Sequence, residues 1–460
     1  MDDESHQPGE NADLTRMFES SGYSRKALAH RVNQLARDAG LSRHYTHTSV
    51  LRWLEGLPPR QPIPALVAAA LAERLGRPLT EADIGMDGAH EPLATMGLDF
   101  PRDPIAAVRG AAVFWSNVHR REFLASTGFA AAAYVTPVTR WLAVPEAAPP
   151  PPRGTRFVGQ SDVEELWAAA DDARRQDSRF GGGHWKASSV SQCLTQQAVP
   201  LLNGRYSEAV GKNLFSATAE LSRVVGWSAV DTGHHAAAQR YFIQALAMAR
   251  AGGDVQAGSY ILGTMALQTL LAGDADKAVD MAQGAYDRGK RVAAPRVLAF
   301  IKLMESRAHA RLGDALAASS ALRQSENLLE AIRPGSRDPE WLSYFTHERI
   351  AADATEIYRD LRNPRAALSW NRQAAAMPQG SYTRSVGMRL AIVGTAHLQQ
   401  RDLDRGLHMG REAVATLGQV HSPRARSYVL DLVGALDEWK SEPRVLDFIR
   451  HTRAGLAHLN

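Results

Sequence analysis

The chain contains 460 residues, of which 45% are hydrophobic and 22% are charged, so disorder along its whole length is excluded and two or three domains are expected. A single cysteine, Cys193, excludes an internal disulfide and a paired-cysteine zinc site, and it favours the reducing cytoplasm. The net charge is only +4, but residues 22–60 carry seven basic and two acidic side chains. Such an excess of basic side chains is typical of segments that bind nucleic acids, although a solvated helical face would give the same charge count.

The N-terminal region is predicted to be a short tail followed by a helical domain. Residues 1–13 are polar and are expected to be a disordered tail. In residues 14–86, the pattern from Ser24 to Ala29 predicts a capped helix, and that from Thr48 to Gly56 predicts a second helix. An apolar helix over 63–75, ended by Gly76, closes this domain.

The spacing of apolar residues in the two helices resembles that of lambda-repressor-like helix-turn-helix domains; these residues are Leu28, Ala29, Val50, Trp53, Leu54 and Gly56. In that fold the second helix lies in the major groove, so the resemblance implies a double-stranded DNA partner. Arg52 would contact guanine or phosphate, and hydroxyl groups would position phosphates. The residues expected to contact DNA are Arg25, Lys26, Arg43, His44, Thr46, His47, Thr48, Ser49 and Arg52.

The connection between these helices is longer than is usual in that family, because residues 33–47 intervene. Either the first helix is extended, or an extra turn carries Arg43, His44 and Tyr45 toward the DNA backbone. The alternative for the whole domain is a relic helix-turn-helix that packs on the rest of the chain or binds protein.

Residues 87–154 are expected to be a linker that contains a connector helix and a proline-rich segment. The run Pro149-Pro150-Pro151-Pro152 must be extended, because proline fixes φ and lacks an amide hydrogen. Arg120-Arg121 before an alanine-rich stretch imitates a twin-arginine export signal. Such signals are N-terminal, and this apolar stretch is too short to cross a bilayer, so no membrane partner is predicted.

Residues 155–460 contain a turn that recurs at intervals of 40, 40, 49 and 39 residues; it is found at Gly233-His234, Gly273-Asp274, Gly313-Asp314, Arg362-Asn363 and Arg401-Asp402. Small residues recur at three fixed offsets from the second residue of each turn. They are Ala238, Ala278, Ala318, Ala367 and Gly406 four residues after it; Ala245, Ala285, Ser325, Ala374 and Ala413 eleven after it; and Gly226, Ala266, Ser306, Thr355 and Gly394 eight before it. Small side chains at these fixed positions on both sides of a turn allow two antiparallel helices to pack closely.

This periodicity resembles the tetratricopeptide repeat, whose usual unit of about 34 residues is shorter than the intervals here. Fainter units are expected near Gly204-Arg205 and near Ser441. Unrelated alanine-rich helical hairpins are the alternative. The predicted fold class is all-α, with an N-terminal helix-turn-helix domain followed by a C-terminal tetratricopeptide-like helical-repeat solenoid, because alternating β-branched runs are scarce.

No pattern in the chain indicates catalysis, a metal site or a cofactor. The histidines are scattered, and Gly181-Gly182-Gly183 lacks the lysine and the strand–helix context of a phosphate loop. The chain is therefore predicted not to be an enzyme. Repeat arrays present a concave inner surface. The residues that could line it and bind a peptide, metabolite or protein effector are Tyr260, Gln268, Arg307, Arg311 and His397.

Four segments, in this order, carry a wider resemblance: WLEG at 53–56, RPLTEADIGM at 77–86, DSRFGGG at 177–183 and GHHAAAQRY at 233–241. They are similar to actinobacterial helix-turn-helix and tetratricopeptide regulators of sporulation and antibiotic production. The resemblance implies a cytoplasmic bacterial transcriptional regulator, a repressor of development or secondary metabolism, that binds DNA as a homodimer joined through its repeats. The alternative is a tetratricopeptide protein-interaction scaffold with an N-terminal domain that does not bind DNA.

Overall fold

The structure is a computed structural model that describes residues 11–38, 44–57, 59, 63–77, 79–86, 95–118, 128–143, 154–181, 189–333, 335, 338–375, 382–418, 420 and 422–456. Regular structure within these ranges is helical, apart from one isolated bridge between Phe157 and Arg205. The predicted all-α class is therefore confirmed for them. The chain divides into two compact units, Met1–Leu93 and Ala94–Asn460.

The described residues of the first unit form four α-helices and a short 3-10 helix. They are α1 (Ala12–Ser21), α2 (Arg25–Asp38), α3 (His47–Leu54), α4 (Ile63–Leu75) and the 3-10 helix Ala82–Ile84. Helix α4 packs on α1 and α2 and supplies Ile63, Val67 and Leu71 to a shared core. It ends at Gly76, whose φ of +67° is the left-handed conformation that favours glycine after a helix.

The first unit begins earlier than the predicted boundary at residue 14. Asn11 caps α1, since the Leu14 N–H donates to its Oδ1 at 2.9 Å. The Asn11 side chain also donates to the carbonyl oxygens of Ile84 and Gly85, both at 3.0 Å. Because one side chain joins the two ends of this unit, the part of the predicted tail from Asn11 onward belongs to the folded domain. Residues 1–10 lie outside the described residues.

The second unit begins with segments that the sequence placed in a linker. Helices α5 (Pro104–Asn117) and α6 (Val135–Ala143) both lie in this range and pack on the repeats. Three buried side chains of the repeats donate to backbone carbonyls just before α5: Arg240 Nε to Met96 at 2.9 Å, Gln244 to Gly97 at 2.9 Å and Arg250 to Arg102 at 2.9 Å. These described parts of 87–154 are therefore integral to the second unit, whereas Arg120-Arg121 and the four prolines lie outside the described residues.

The remaining helices follow in sequence as α7 (Gln160–Phe180), α8 (Ser189–Cys193), α9 (Val199–Leu202), α10 (Glu208–Asp231), α11 (His235–Ala251), α12 (Val255–Leu271), α13 (Ala275–Gly289), α14 (Pro295–Arg311), α15 (Ala315–Glu330), α16 (His347–Asp360), α17 (Pro364–Ala374), α18 (Thr383–Gln399), α19 (Leu403–Leu417), α20 (Pro423–Gly434) and α21 (Pro443–Gly455). A π-helical turn, Leu194–Ala198, joins α8 to α9. From α10 to α19 the helices pack in consecutive pairs. Helix α7 packs against both α10 and α18, and α10 also contacts α20.

All five predicted turns lie between the two helices of a pair. The first residue of each turn has a positive φ: Gly233 79°, Gly273 95°, Gly313 79°, Arg362 52° and Arg401 65°. In four turns the second residue caps the next helix, because its side chain accepts the N–H of the third residue beyond; these residues are Asp274, Asp314, Asn363 and Asp402. The Gly-Asp pattern thus combines a left-handed helix end with an N-cap.

The small residues at the fixed offsets are buried in every pair. Gly226 shows why size matters, since a Cβ there would lie 2.8 Å from the Phe242 ring on the neighbouring helix. A Cβ on Gly394 would lie 3.0 Å from Leu432 in the same way. The fainter unit near Gly204 differs, because Ala209 at the equivalent offset is exposed.

Candidate functional site

Most of the residues predicted to contact DNA are exposed, and they lie on α2, on α3 and just before α3. Arg25 and Lys26 begin α2, and His47, Thr48 and Arg52 lie on α3; all five are exposed. His44 and Thr46 are exposed as well, whereas Ser49 is half-buried. We call this set the α2–α3 surface. Arg43 lies outside the described residues.

The side of α3 that faces away from the α2–α3 surface packs through aliphatic and aromatic side chains. Val50 and Trp53 are buried in the core of the first unit, 0% and 3% exposed. The Tyr45 ring packs edge-on against Trp53, with ring centroids 5.3 Å apart. The Thr46 N–H donates to Ser49 Oγ at 3.2 Å, which satisfies one amide at the start of the helix. The periodicity that buries Val50 and Trp53 is what leaves Thr48 and Arg52 on the outside.

Helix α2 continues to Asp38, so it occupies the first part of the long connection before α3, whereas residues 39–43, where an extra turn was the alternative, lie outside the described residues. The buried side chain of Asn33 fixes the C-terminal end of this connection through two hydrogen bonds with Tyr45. Its Oδ1 accepts the Tyr45 N–H at 2.8 Å, and its Nδ2 donates to the Tyr45 carbonyl oxygen at 2.8 Å. Sequence analysis missed this residue, although an amide at an otherwise apolar helix position was a signal that could have revealed it.

The charges of the α2–α3 surface are open to a partner. Within the described part of the chain, no ion pair or hydrogen bond engages the side chains of Arg25, Lys26 or Arg52. Arg31 differs, since its Nε and Nη2 each donate to Glu73 at 2.7 Å. That hydrogen bond raises the pKa of Arg31 and lowers the pKa of Glu73. One of the seven basic residues counted in the sequence therefore connects α2 to α4.

The structure does not bring the five candidate groove residues together at one site. Tyr260 lines a cavity of the second unit whose described lining includes none of the other four. Gln268 is buried and bonds to the Tyr134 hydroxyl and the His235 carbonyl. Arg307 and Arg311 share the carboxylate of Glu356, and His397 is a partly buried residue with Nδ1 3.9 Å from Asp402 Oδ2. The structure thus brings Arg307 and Arg311 together but separates them from Tyr260's cavity.

Three properties of the described residues bear on the chemistry of the protein. No helix among them is long and apolar enough to cross a membrane. Across the same ranges, no group of three or more His, Cys, Asp or Glu side chains is arranged to hold a metal ion. Burial raises the pKa of the Cys193 thiol to about 11, which disfavours the reactive thiolate.

Comparison with family models gives a match within the first unit. A family model described as the SP15 N-terminal domain matches residues 14–87. This range lies within the first unit and includes all of α2 and α3. No curated protein matches the chain.

Proposed function

We propose that the protein is a DNA-binding transcriptional regulator whose first unit reads double-stranded DNA through the α2–α3 surface. The observation that carries this proposal is that Arg25, Lys26 and Arg52 are exposed and have no carboxylate partner among the described residues, on helices whose opposite sides are buried. Cationic side chains that lack internal partners can neutralise phosphates without first breaking an ion pair. The exposed hydroxyls of Thr46 and Thr48 add hydrogen-bond donors for phosphates or base edges.

The second unit would pair the DNA-binding units as a homodimer and repress genes of development or secondary metabolism. Two-fold operators require two helix-turn-helix units, and one such unit rarely supplies enough affinity by itself. The repeats offer a large helical surface for this pairing. The resemblance to actinobacterial regulators supports the repressor role and the cytoplasmic location.

The test is fluorescence anisotropy of the full chain with labelled promoter duplexes and a scrambled duplex of equal length. We expect sequence preference, and we expect Arg52→Ala to weaken specific binding by about 1–3 kcal/mol because a base or phosphate contact is lost. Arg16→Ala is the matched control, because Arg16 is an exposed arginine of α1 that pairs with Asp13 at 2.6 Å.

Two results would contradict the proposal. One is equal, weak binding to the promoter and scrambled duplexes. The other is an equal loss of affinity in Arg52→Ala and Arg16→Ala, which would indicate a general charge effect. If the first unit were structural in an interaction scaffold, neither substitution would change binding to DNA.

A further inference from the structure

The second unit encloses a cavity of about 650 Å³ between the first helices of its pairs. Helices α7, α10, α12, α14, α16, α18 and α20 all contribute to its lining, together with the segment that precedes α16. This volume is in the range of small-molecule sites, which usually combine apolar walls with a few polar groups. Its residues come from helices far apart in sequence, so no short motif marks it.

One wall of the cavity is aromatic. The Tyr260 ring lies 4.7 Å from Trp341 and 4.9 Å from Phe300, measured between centroids. The hydroxyl groups of Tyr260 and Tyr344 are hydrogen-bonded at 2.8 Å, and Trp227 faces the same space. Trp341, Tyr344 and Trp227 are only half-buried. Their exposed ring surface would be covered by a flat apolar group.

Arginines form the polar part of the lining. Arg349 and Arg424 each use one nitrogen on a carboxylate: Arg349 Nε donates to Asp353 at 2.7 Å, and Arg424 Nε donates to Asp231 at 3.0 Å. Neither carboxylate lines the cavity. Among the described residues, the terminal nitrogens of these two guanidinium groups have no hydrogen-bond partner. Arg424 also stacks over the Trp227 ring at 5.1 Å, which places a cation beside the aromatic wall.

Of the three carboxylates that line the cavity, Asp177 and Asp171 are engaged, whereas Glu340 forms no ion pair within the described chain. Both oxygens of Asp177 accept hydrogen bonds from Arg384, at 3.1 and 2.7 Å, and Asp171 pairs with Arg174. Glu340 is exposed. Arg384 Nε is buried without a partner, so the interior has donors in excess of acceptors. A cationic ligand would find only the carboxylate of the exposed Glu340 outside an ion pair in the described chain, whereas an anion would find the unpaired terminal nitrogens of Arg349 and Arg424.

We propose that this cavity binds an organic anion with a flat aromatic body. Its charged group would accept hydrogen bonds from the terminal nitrogens of Arg349 and Arg424. Its ring system would pack against Trp227, Trp341 and Tyr344. The site belongs to the second unit alone, and it does not depend on DNA binding by the first.

The test compares two dyes that share a xanthene ring and differ in charge: fluorescein, a dianion in weakly alkaline buffer, and rhodamine 123, a cation. Fluorescence polarisation with the full chain should show fluorescein binding with micromolar affinity or tighter and rhodamine 123 binding at least about tenfold more weakly. Arg349→Gln and Arg424→Gln should each weaken fluorescein binding about tenfold or more, because each removes a charged donor.

Two further variants separate the site from folding and from net charge. Ser343→Trp fills the cavity beside Trp341, keeps every arginine and should abolish fluorescein binding. Arg411→Gln removes an exposed arginine of α19 outside the cavity and should leave binding unchanged. The proposal is overturned if neither dye binds, if rhodamine 123 binds as tightly as fluorescein, or if Ser343→Trp, folded by circular dichroism, still binds fluorescein.

Discussion

The two units of this protein use arginine in opposite ways. On the α2–α3 surface, Arg25 and Arg52 are exposed and carry no internal ion pair in the described chain. Inside the second unit, Arg307 and Arg384 are 6% and 5% exposed and are each held by two carboxylates. An exposed, unpaired arginine contributes little to folding and remains available to a partner. A buried, paired arginine is part of the structure, since removing its counter-charge leaves an uncompensated ion in the interior.

The pKa of Glu356 shows how strongly the buried ion pairs interact. Burial would raise the pKa of this carboxyl, but Arg307 and Arg359 outweigh that effect and lower the pKa to about 2. Tyr428 adds a hydrogen bond, with its hydroxyl donating to Glu356 Oε1 at 2.9 Å. The same residue type thus joins distant helices in the second unit and is exposed to solvent on the α2–α3 surface.

The largest expected effect follows from breaking a buried pair at Asp231. This carboxylate is fully buried and joins Arg384 Nη1 at 2.9 Å to Arg424 Nε at 3.0 Å. Asp231→Ala should lower the free energy of unfolding by about 3–5 kcal/mol, because two guanidinium groups lose their shared counter-charge. Urea unfolding followed by circular dichroism measures this change.

Asp231→Asn keeps the shape of the side chain and should also destabilise the second unit, so a failure of the alanine variant to fold does not end the test. The control is Asp404→Ala, because Asp404 forms an exposed pair with Arg444 at 2.5 Å. Its loss should cost less than about 1 kcal/mol. Equal losses at Asp231 and Asp404 would remove the distinction between buried and exposed pairs.

An intermediate effect is expected for Asn33→Ala in the first unit. Both of its 2.8 Å hydrogen bonds with Tyr45 would be lost, leaving backbone groups unsatisfied at a cost of about 1–3 kcal/mol. Hydrogen–deuterium exchange of the full chain should show faster exchange across α3, with the second unit unchanged. Gln34→Ala, one position further along α2, is the control. Unchanged exchange in α3 would mean that Asn33 does not position this helix.

The smallest effect on stability is expected for Lys26→Ala. Because Lys26 is exposed and unpaired in the described chain, its loss should change the unfolding free energy by no more than about 0.5 kcal/mol. If it contacts a phosphate, the slope of log Kobs against log salt for DNA binding should become shallower by about 0.9. Lys277→Ala, which removes a lysine of α13 paired with Asp274, should leave this slope unchanged. The same slope in wild type and Lys26→Ala would place Lys26 outside the interface.

Sequence alone predicted the helical elements well where local chemistry decides them. The five turns between paired helices each have a residue with positive φ, followed in four of them by a side chain that caps the next helix, and both requirements act within a few residues. The burial of Val50 and Trp53, with Arg52 exposed between them, follows from helical periodicity. These properties are readable because they depend on neighbours along the chain.

Contacts between residues far apart in the sequence could not be predicted from local sequence patterns. Asn33 and Tyr45 are twelve residues apart, Asp177 and Arg384 are 207 apart, and Arg240 reaches Met96 across 144 residues. The pattern of the sequence therefore determined that these segments are α-helices. It also determined which side chains of the α2–α3 surface are exposed. Only the tertiary structure decided that the predicted linker packs on the repeats and that Tyr260 meets Trp341 and Arg424 around one cavity. Hydrogen bonds and ion pairs depend on distance in space, which helical periodicity does not encode.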